Sequence, residues 1–296
     1  MKVRIGVSLG PAATPERLGE SVSMLESAGV DSLWLSEVVY GSLVEPFIGM
    51  AYSLARTSKL KVGTGVAVLP GRHPVLVAKQ LTSLAALAPG RVLPVFGLRP
   101  ARRPEAAAFP VPGARAAVFD ESLELLRLLL TQDTVSFSGK FFTVESASAG
   151  PRPGKPLDVW LGGSAPEGLR RAGRLADGWL GSFLTPAEAG SAREQIQAAA
   201  AAAGREVDPE HFGISLAMAT GEIPAELAFA VGRRRPGIDP ASLISVGWPA
   251  LRDKIAEYVA VGLSKFVIRP AALEPGDGAI ADFIGEFVAQ MIPLQT

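Results

Sequence analysis

The sequence predicts an α/β fold: a TIM (β/α)8 barrel with insertions after helix 4 and strand 7, in a single domain over residues 1–296. Three observations support it. Eight apolar, strand-like runs each lead toward a segment of helical periodicity. No shift in composition marks a domain boundary. A chain of this length also suits one large barrel. On pattern alone an open doubly wound sheet stays available as the alternative.

Residues 3–9 form an apolar run broken at Gly10-Pro11. Thr14-Pro15-Glu16 then opens a helix with Leu18, Val22, Leu25 and Ala28 at helical spacing, and Gly29 stops it. Residues 32–36 and 45–57 are the second strand and helix, and 61–69 and 75–87 the third pair. Residues 91–96 are the fourth strand, although Pro94 cannot donate to a ladder. Residues 116–130 are a strongly amphipathic helix. The alternation then pauses. Residues 135–144 alternate around Ser138-Gly139-Lys140, a hairpin signature, and 150–156 form a Pro/Gly-rich link. Strand 157–161, helix 166–174, strand 178–183 and helix 187–203 resume the pattern, the last closing on a run of alanines that favours helix. Strand 212–217 precedes a helical excursion near 224–235 and a helix at 250–261. Strand 265–268 and helix 279–291 complete the set.

Composition narrows the function classes. The chain carries 29 basic and 29 acidic residues with neither sign clustered, which argues against a nucleic-acid partner. No polybasic segment or bilayer-length apolar run points to a membrane. With no cysteine there is no disulfide, thiol nucleophile or thiolate metal site. No H-E-x-x-H motif or Asp/Glu/His cluster suggests a protein-held metal. The N-terminus reads as a strand and not as a signal peptide, so a cytoplasmic protein is expected.

In a barrel the chemistry lies at the C-terminal ends of the strands. Those ends supply Ser8, Glu37, Thr64-Gly65, Gly97 with Arg99, Gly162-Gly163-Ser164, Gly181-Ser182, Met218 and Arg269. Glu37 is the one carboxylate directly after a strand, and hence the candidate for proton handling. Two strings stand out, 159–167 and 175–182. Each runs from a buried strand into glycine and a small hydroxyl residue, with a helix start close behind. Bare backbone before a helix N-terminus offers N–H donors and a positive dipole end, a site for a phosphate-bearing cofactor. The competing reading is a tight turn with ordinary capping boxes, Ser164 with Glu167 and Thr185 with Glu188. A rim so short of acid–base groups suits a bound cofactor that brings the reactivity.

Other motifs are weaker. Gly6-Val7-Ser8-Leu9-Gly10 matches the nucleophile elbow G-x-S-x-G, but it lies on the first strand and no histidine falls at a strand end. Gly63-Thr64-Gly65 lacks the third glycine of a dinucleotide fingerprint. His73 reads as a helix cap, and His211 lies on the stability face of the barrel. Arg233-Arg234-Arg235 is most simply a solvated helix end, with coverage of the mouth as the second option. Trp34 and Trp160 read as core, and Trp248 as a pocket neighbour.

One resemblance runs through these residues. It passes through Ala28-Gly29-Val30-Asp31-Ser32-Leu33-Trp34-Leu35-Ser36-Glu37, Val62-Gly63-Thr64-Gly65-Val66 and Arg72-His73-Pro74-Val75-Leu76-Val77-Ala78-Lys79-Gln80. It continues in Phe119-Asp120-Glu121-Ser122-Leu123, the hairpin from Val135 to Phe142, and the two glycine strings. Together they resemble the bacterial luciferase-like monooxygenase superfamily, in its branch of actinobacterial oxidoreductases dependent on the deazaflavin coenzyme F420. The resemblance implies a TIM barrel with insertions, a homodimer, and a deazaflavin or flavin ring in the mouth. It implies a non-prolyl cis peptide at Gly65-Val66 behind that ring. The strand ends then set the cofactor against Ser8, Thr64, Gly65, Val66, Gly97, Arg99, Gly162, Gly163, Ser164, Gly181, Ser182 and Phe183, and the resemblance puts its phosphate on the backbone around Gly162, Gly163, Gly181 and Ser182. The expected activity is hydride transfer between F420 and a small organic substrate, with Arg269 toward an anionic substrate. The alternatives are an FMN monooxygenase using oxygen, or a degenerate flavin-binding barrel. Two departures bear on this: Val38 stands where many deazaflavin-dependent relatives carry His, and Pro100 where some carry a catalytic Glu.

Overall fold

Short β-branched and aromatic runs, each bounded by glycine, proline or a small polar residue, set the strands of the structure. It is a computed structural model describing residues 1–10, 14–100, 102–273 and 277–296; Pro11 of the expected strand break lies outside them. The first half runs β1 (Arg4–Val7), α1 (Pro15–Ser27), β2 (Ser32–Leu35), α2 (Pro46–Arg56), β3 (Lys61–Thr64), β4 (Ala67–Val68), α3 (Pro74–Leu87), β5 (Val92–Leu93), β6 (Val95–Gly97) and α4 (Arg115–Thr131). A hairpin of β7 (Val135–Ser138) and β8 (Thr143–Ala147) follows. The second half runs β9 (Trp160–Gly162), α5 (Pro166–Leu175), β10 (Gly178–Ser182), α6 (Pro186–Ala202), β11 (Phe212–Ala219), α7 (Ala225–Arg234), α8 (Pro240–Leu243), β12 (Ile244–Val246), α9 (Gly247–Ala260), β13 (Lys265–Pro270) and α10 (Asp277–Met291).

The main sheet is parallel and curled. Its hydrogen-bonded order is β4-β6-β9-β10-β11-β13-β1-β2-β3-β5, with β12 paired to β11. The two ends of that path belong to neighbouring runs. β3 and β4 are segments of one run, interrupted at Gly65-Val66, where the peptide is cis as expected. β5 and β6 are segments of the next, interrupted at Pro94. β3 pairs with β5 through Val62 and Val92, and β4 with β6 through Ala67 and Phe96. The path therefore returns to the pair of runs it left.

Two apolar layers hold this arrangement. The larger lies between sheet and helices, with Val22 and Leu25 of α1, Leu81 of α3 and Leu126 of α4 buried against Ile5, Val62 and Ile214. The smaller lies inside the curl, where Trp34, Val95, Trp160, Leu180 and Val267 meet Val66 and Leu93. At the N-terminal ends of the strands Asp31 accepts from Lys61 Nζ at 2.7 Å and Lys265 Nζ at 3.0 Å. Burial pushes the Asp31 carboxyl up, but the two ammonium groups outweigh it and hold the carboxyl down to about 2. Burial also lowers the pKa of Lys265. No helix among the described residues is long and apolar enough to cross a membrane.

Several short features go beyond the sequence reading, α8 and the division of strand 91–96 among them. A 3-10 turn occupies Arg103–Ala108, β12 adds a parallel partner to β11, and the expected strand 61–69 is divided. All are two to six residues long, too short to carry a periodic signal.

Candidate active site

A cavity of about 580 Å³ opens at the C-terminal ends of the strands, within the size range of small-ligand sites. It gathers nearly every residue expected at the rim: Ser8, Glu37, Gly65, Val66, Gly97, Arg99, Gly162, Gly163, Ser164, Gly181, Ser182, Phe183 and Arg269. Thr64 is not among them. It is fully buried, and its hydroxyl donates to the Val95 carbonyl at 2.7 Å and accepts from the Val95 N–H at 2.8 Å. The side chain thus bridges β3 and β6 beside the Pro94 break, where the backbone ladder is interrupted. Met218 and Trp248 are also absent from the lining. The Trp248 indole donates instead to Glu286 on α10.

The floor is built from small residues around one valine. A Cβ on Gly97 would sit 2.6 Å from Val66 Cγ2, and a Cβ on Gly162 would sit 2.8 Å from Val66 Cγ1. The two methyl groups of Val66 therefore fill the space that side chains at those strand ends would need. Trp34 lies beneath and also lines the cavity. The result is a flat apolar surface of a kind that suits a planar ring.

The two glycine strings turn out differently. Helix α6 is capped by the expected box, with the Thr185 hydroxyl on the Glu188 N–H and the Glu188 carboxylate on the Thr185 N–H. Its first-turn donors are partly used. Helix α5 has no such box: its N-cap is Ala165, no side chain caps it, and Glu167 pairs with Arg170 on the helix surface. The first-turn N–H groups of α5 stay open, and Gly163, Ser164, Ala165, Glu167 and Gly168 line the cavity. Gly163 precedes them at φ +108°, a conformation side chains rarely adopt, with its would-be Cβ in open space. Its carbonyl accepts from the Trp179 indole at 2.8 Å. Because the peptide is planar and trans, the Ser164 N–H points to the side opposite Trp179. Open donors and a positive dipole end meet the needs of a phosphate.

Glu37 lines the cavity but is not a free carboxylate. It is 5% exposed and accepts from Arg72 Nη2 at 2.6 Å, Arg72 Nη1 at 3.0 Å and the Val68 N–H at 2.6 Å. These are charge-assisted hydrogen bonds, worth roughly 1.5–3 kcal/mol each. The geometry makes Glu37 a brace that ties the end of β2 to β4. The expectation of a proton-handling role at Glu37 did not include Arg72 as its partner.

Further residues complete the lining, of which Arg171, Ser36 and Ser215 escaped the sequence reading. Arg171 sits on α5, bonded to Asp120 and lying over the Phe119 ring. Phe183, at φ +56°, gives its carbonyl to Arg235 and its ring face to Arg234 at 4.9 Å. Arg234 lines the cavity, so the basic run that ends α7 reaches the mouth, the second of the two options given for it. Ser36 and Ser215 line it as well. The basic run was the signal for Arg234. Nothing local marks Arg171 or Ser215, which arrive through tertiary placement. His73 caps α3 and His211 hydrogen-bonds the Asp177 carbonyl, both away from the cavity. Among the described residues no group of three or more His, Asp or Glu is arranged to hold a metal.

A model of the luciferase-like monooxygenase family matches residues 1–262. The chain is similar to an F420-dependent glucose-6-phosphate dehydrogenase of Kineococcus radiotolerans, at 27% identity over 175 residues, 56% of this chain and 52% of that one. It spans about half the length of the curated relatives it matches. Among solved structures, the F420-dependent tetrahydromethanopterin reductase of Methanopyrus kandleri superposes over 100% of both chains with a TM-score of 0.80 at 18% identity. A type II Baeyer-Villiger monooxygenase of Pseudomonas putida, in complex with FMN, gives 0.76 at 16% identity over 99% of each chain. At such identities these two likenesses are ones of fold.

Proposed function

We propose that this chain, which belongs to the luciferase-like monooxygenase family, is an oxidoreductase that moves hydride between coenzyme F420 and a small organic substrate. The scaffold of this reading is a (β/α)8 barrel, with the β7–β8 hairpin and the α7-to-β12 segment as its insertions. One observation supports it above the others: an uncapped α5 N-terminus behind Gly163 faces a cavity with a flat apolar floor.

The residues present fit such a cofactor. The Ser164 N–H and the first turn of α5 would hold its phosphate, with Gly181 and Ser182 at the adjacent strand end. Val66, set between Gly97 and Gly162, would support one face of the ring. Arg99, exposed at the end of β6, stands next to β9 on the cradle side. When bound, the deazaflavin supplies a hydride-accepting or hydride-donating carbon. The protein's part is to fix that ring over Val66, exclude water from the floor, and hold the substrate against its open face. Glu37 and Arg72 keep the floor segment in place, and Glu37 moves no proton.

Anaerobic titration with F420 and FMN in parallel tests this reading. It expects F420 to bind at micromolar concentration and more tightly than FMN. Preference for FMN with oxygen consumption would favour the monooxygenase alternative. That alternative draws on the same backbone donors, which serve either phosphate. Cofactor binding without turnover on any substrate would favour a degenerate barrel, in keeping with Val38, Pro100 and the committed Glu37. The resemblance also carries a cytoplasmic homodimer, which sedimentation of the purified chain tests.

A further inference from the structure

We propose that the cavity continues past the α5 cradle into a second oxyanion subsite, built from Arg171 and the open N-terminus of α4, and that this subsite selects a cofactor carrying an acid group beyond its phosphate. The subsite follows from geometry; its assignment to the cofactor rests on the function proposed above.

Arg171 lines the cavity wall and is only 7% exposed. Its Nε donates to Asp120, and its guanidinium carbon lies 5.3 Å from the centre of the Phe119 ring. Both contacts come from α4 and fix the head from that side. They leave the two Nη groups without a hydrogen-bond partner among the described residues, and neither is sealed from open space. Asp120 does not balance this charge alone, because it also accepts from Arg174 at 3.5 Å. A guanidinium so desolvated, with its fork of N–H donors open, is matched by the oxygens of a carboxylate or phosphate. The N-terminus of α4 adds to it. Its N-cap is Ala114, no side chain caps it, and its first turn holds no acidic residue. Ala116 of that turn is exposed and lines the same cavity. Arg115 is held elsewhere, by the carbonyls of Pro70 and Phe109. The first-turn donors and positive dipole end of α4 are therefore open toward the cavity.

Helix geometry sets Arg171 between the two open ends. A helical side chain leans toward its own N-terminus, over the residues three and four positions before it. For Arg171 these are Gly168 and Glu167, which both line the cavity. Gly168 has open space where a Cβ would stand, and Glu167 is drawn to Arg170 on the helix surface. The path from the first turn of α5 to the Arg171 fork is thus clear. Helices packed side by side lie about 8–10 Å apart. One phosphate on α5 cannot also occupy the α4 end, but an acid group a few bonds beyond it can. Coenzyme F420 carries such groups, since its phosphate is a diester that continues into a glutamate-bearing chain. FMN ends at its phosphate.

Anaerobic titration with F420 and with its truncated phosphate monoester, which lacks the acidic chain, tests the assignment. The wild type should bind F420 about tenfold more tightly than the truncated form, the difference of one charge-assisted contact. Arg171→Met keeps an apolar stem over Phe119; it should abolish that difference by weakening F420 and hold the truncated form within about twofold. Ala116→Asp should abolish it too while raising the melting temperature, because its carboxylate meets the α4 dipole where the ligand's acid group would lie. That rise also shows that the variant folds. Lys155→Met, on the exposed link, should bind both ligands as wild type does. Equal wild-type affinity for the two ligands, or an undiminished preference in both variants, would overturn the subsite and leave the proposed function standing. So would an equal loss for both ligands in Arg171→Met, since Arg171 would then belong to the α5 cradle. Tighter binding of FMN than of F420 would overturn both. If no cofactor binds, the proposed function fails. A melting temperature raised by γ-glutamylglutamate in wild type but not in Arg171→Met would then keep the subsite, and the lack of a rise would remove it as well.

Discussion

Gly162→Ala probes the floor of the cavity most sharply. The new Cβ would lie 2.8 Å from Val66 Cγ1, where carbon atoms rest at about 3.5–4.0 Å. Val66 must therefore retreat by roughly 1 Å. Its other methyl already fills the Cβ space of Gly97, so it must move into the cavity and disturb the floor. Overpacking of this kind costs about 1–3 kcal/mol. Val66→Ala alone removes two methyl groups from a partly buried site and costs roughly 1 kcal/mol. In the double variant the clash is gone, so the alanine at 162 should add almost nothing to the cost of Val66→Ala. Urea unfolding of the four proteins should return a coupling of about 1–3 kcal/mol in the rescuing direction. The cofactor affinity of Gly162→Ala should fall and recover in parallel. Additive effects would refute the packing argument, as would an unperturbed Gly162→Ala.

The other predictions concern charges and caps. Asp31→Asn leaves the buried ammonium of Lys265 without its counter-charge and should cost about 3–5 kcal/mol in a denaturant titration. The same carboxyl, held down to about 2 from 3.8, contributes on the order of 2.5 kcal/mol. Because its folded pKa is depressed, that contribution is present above pH 4 and disappears as pH falls toward 2; a flat stability profile in that window in wild type would contradict it. Glu37→Gln should lower cofactor affinity several-fold and leave the shape of the pH–rate profile unchanged, whereas loss of one limb would restore it as a proton carrier. Thr185→Ala should cost about 1 kcal/mol through the α6 cap. Ser164→Ala should cost no stability, because no cap is lost at α5; equal costs would show that both strings are ordinary caps.

Much of this was legible in the chain, and the failures have identifiable causes. The alternation of short apolar runs with amphipathic segments located the strands and helices, and the strand ends gathered into one cavity as expected. The Ser164–Glu167 spacing misled because spacing alone does not fix where a helix begins. Proline does. The N-caps Thr14, Glu45, His73, Ala165, Thr185 and Asp239 each immediately precede a proline at the first helical position. Pro166 thus makes Ala165 the cap and leaves Glu167 out of register for a box, a signal present in the sequence. Thr64 was misplaced for a different reason: at the strand end its side chain turns sideways to bridge a ladder broken by Pro94 in the next run. Arg72 reaches Glu37 from 35 residues away, and Arg171 reaches the cavity from α5. Such pairings depend on how connections pack over the sheet, which no local pattern encodes.

The account rests on the two glycine strings having unequal roles, with one helix end open and the other satisfied. A structure of the chain with its cofactor bound tests that directly. The account predicts the cofactor phosphate at the Gly163–Ser164 turn, with its oxygens about 2.7–3.2 Å from the Ser164 N–H and the first-turn N–H groups of α5. A phosphate seated instead on Arg234 and Arg269, with the α5 terminus facing only solvent, would contradict it.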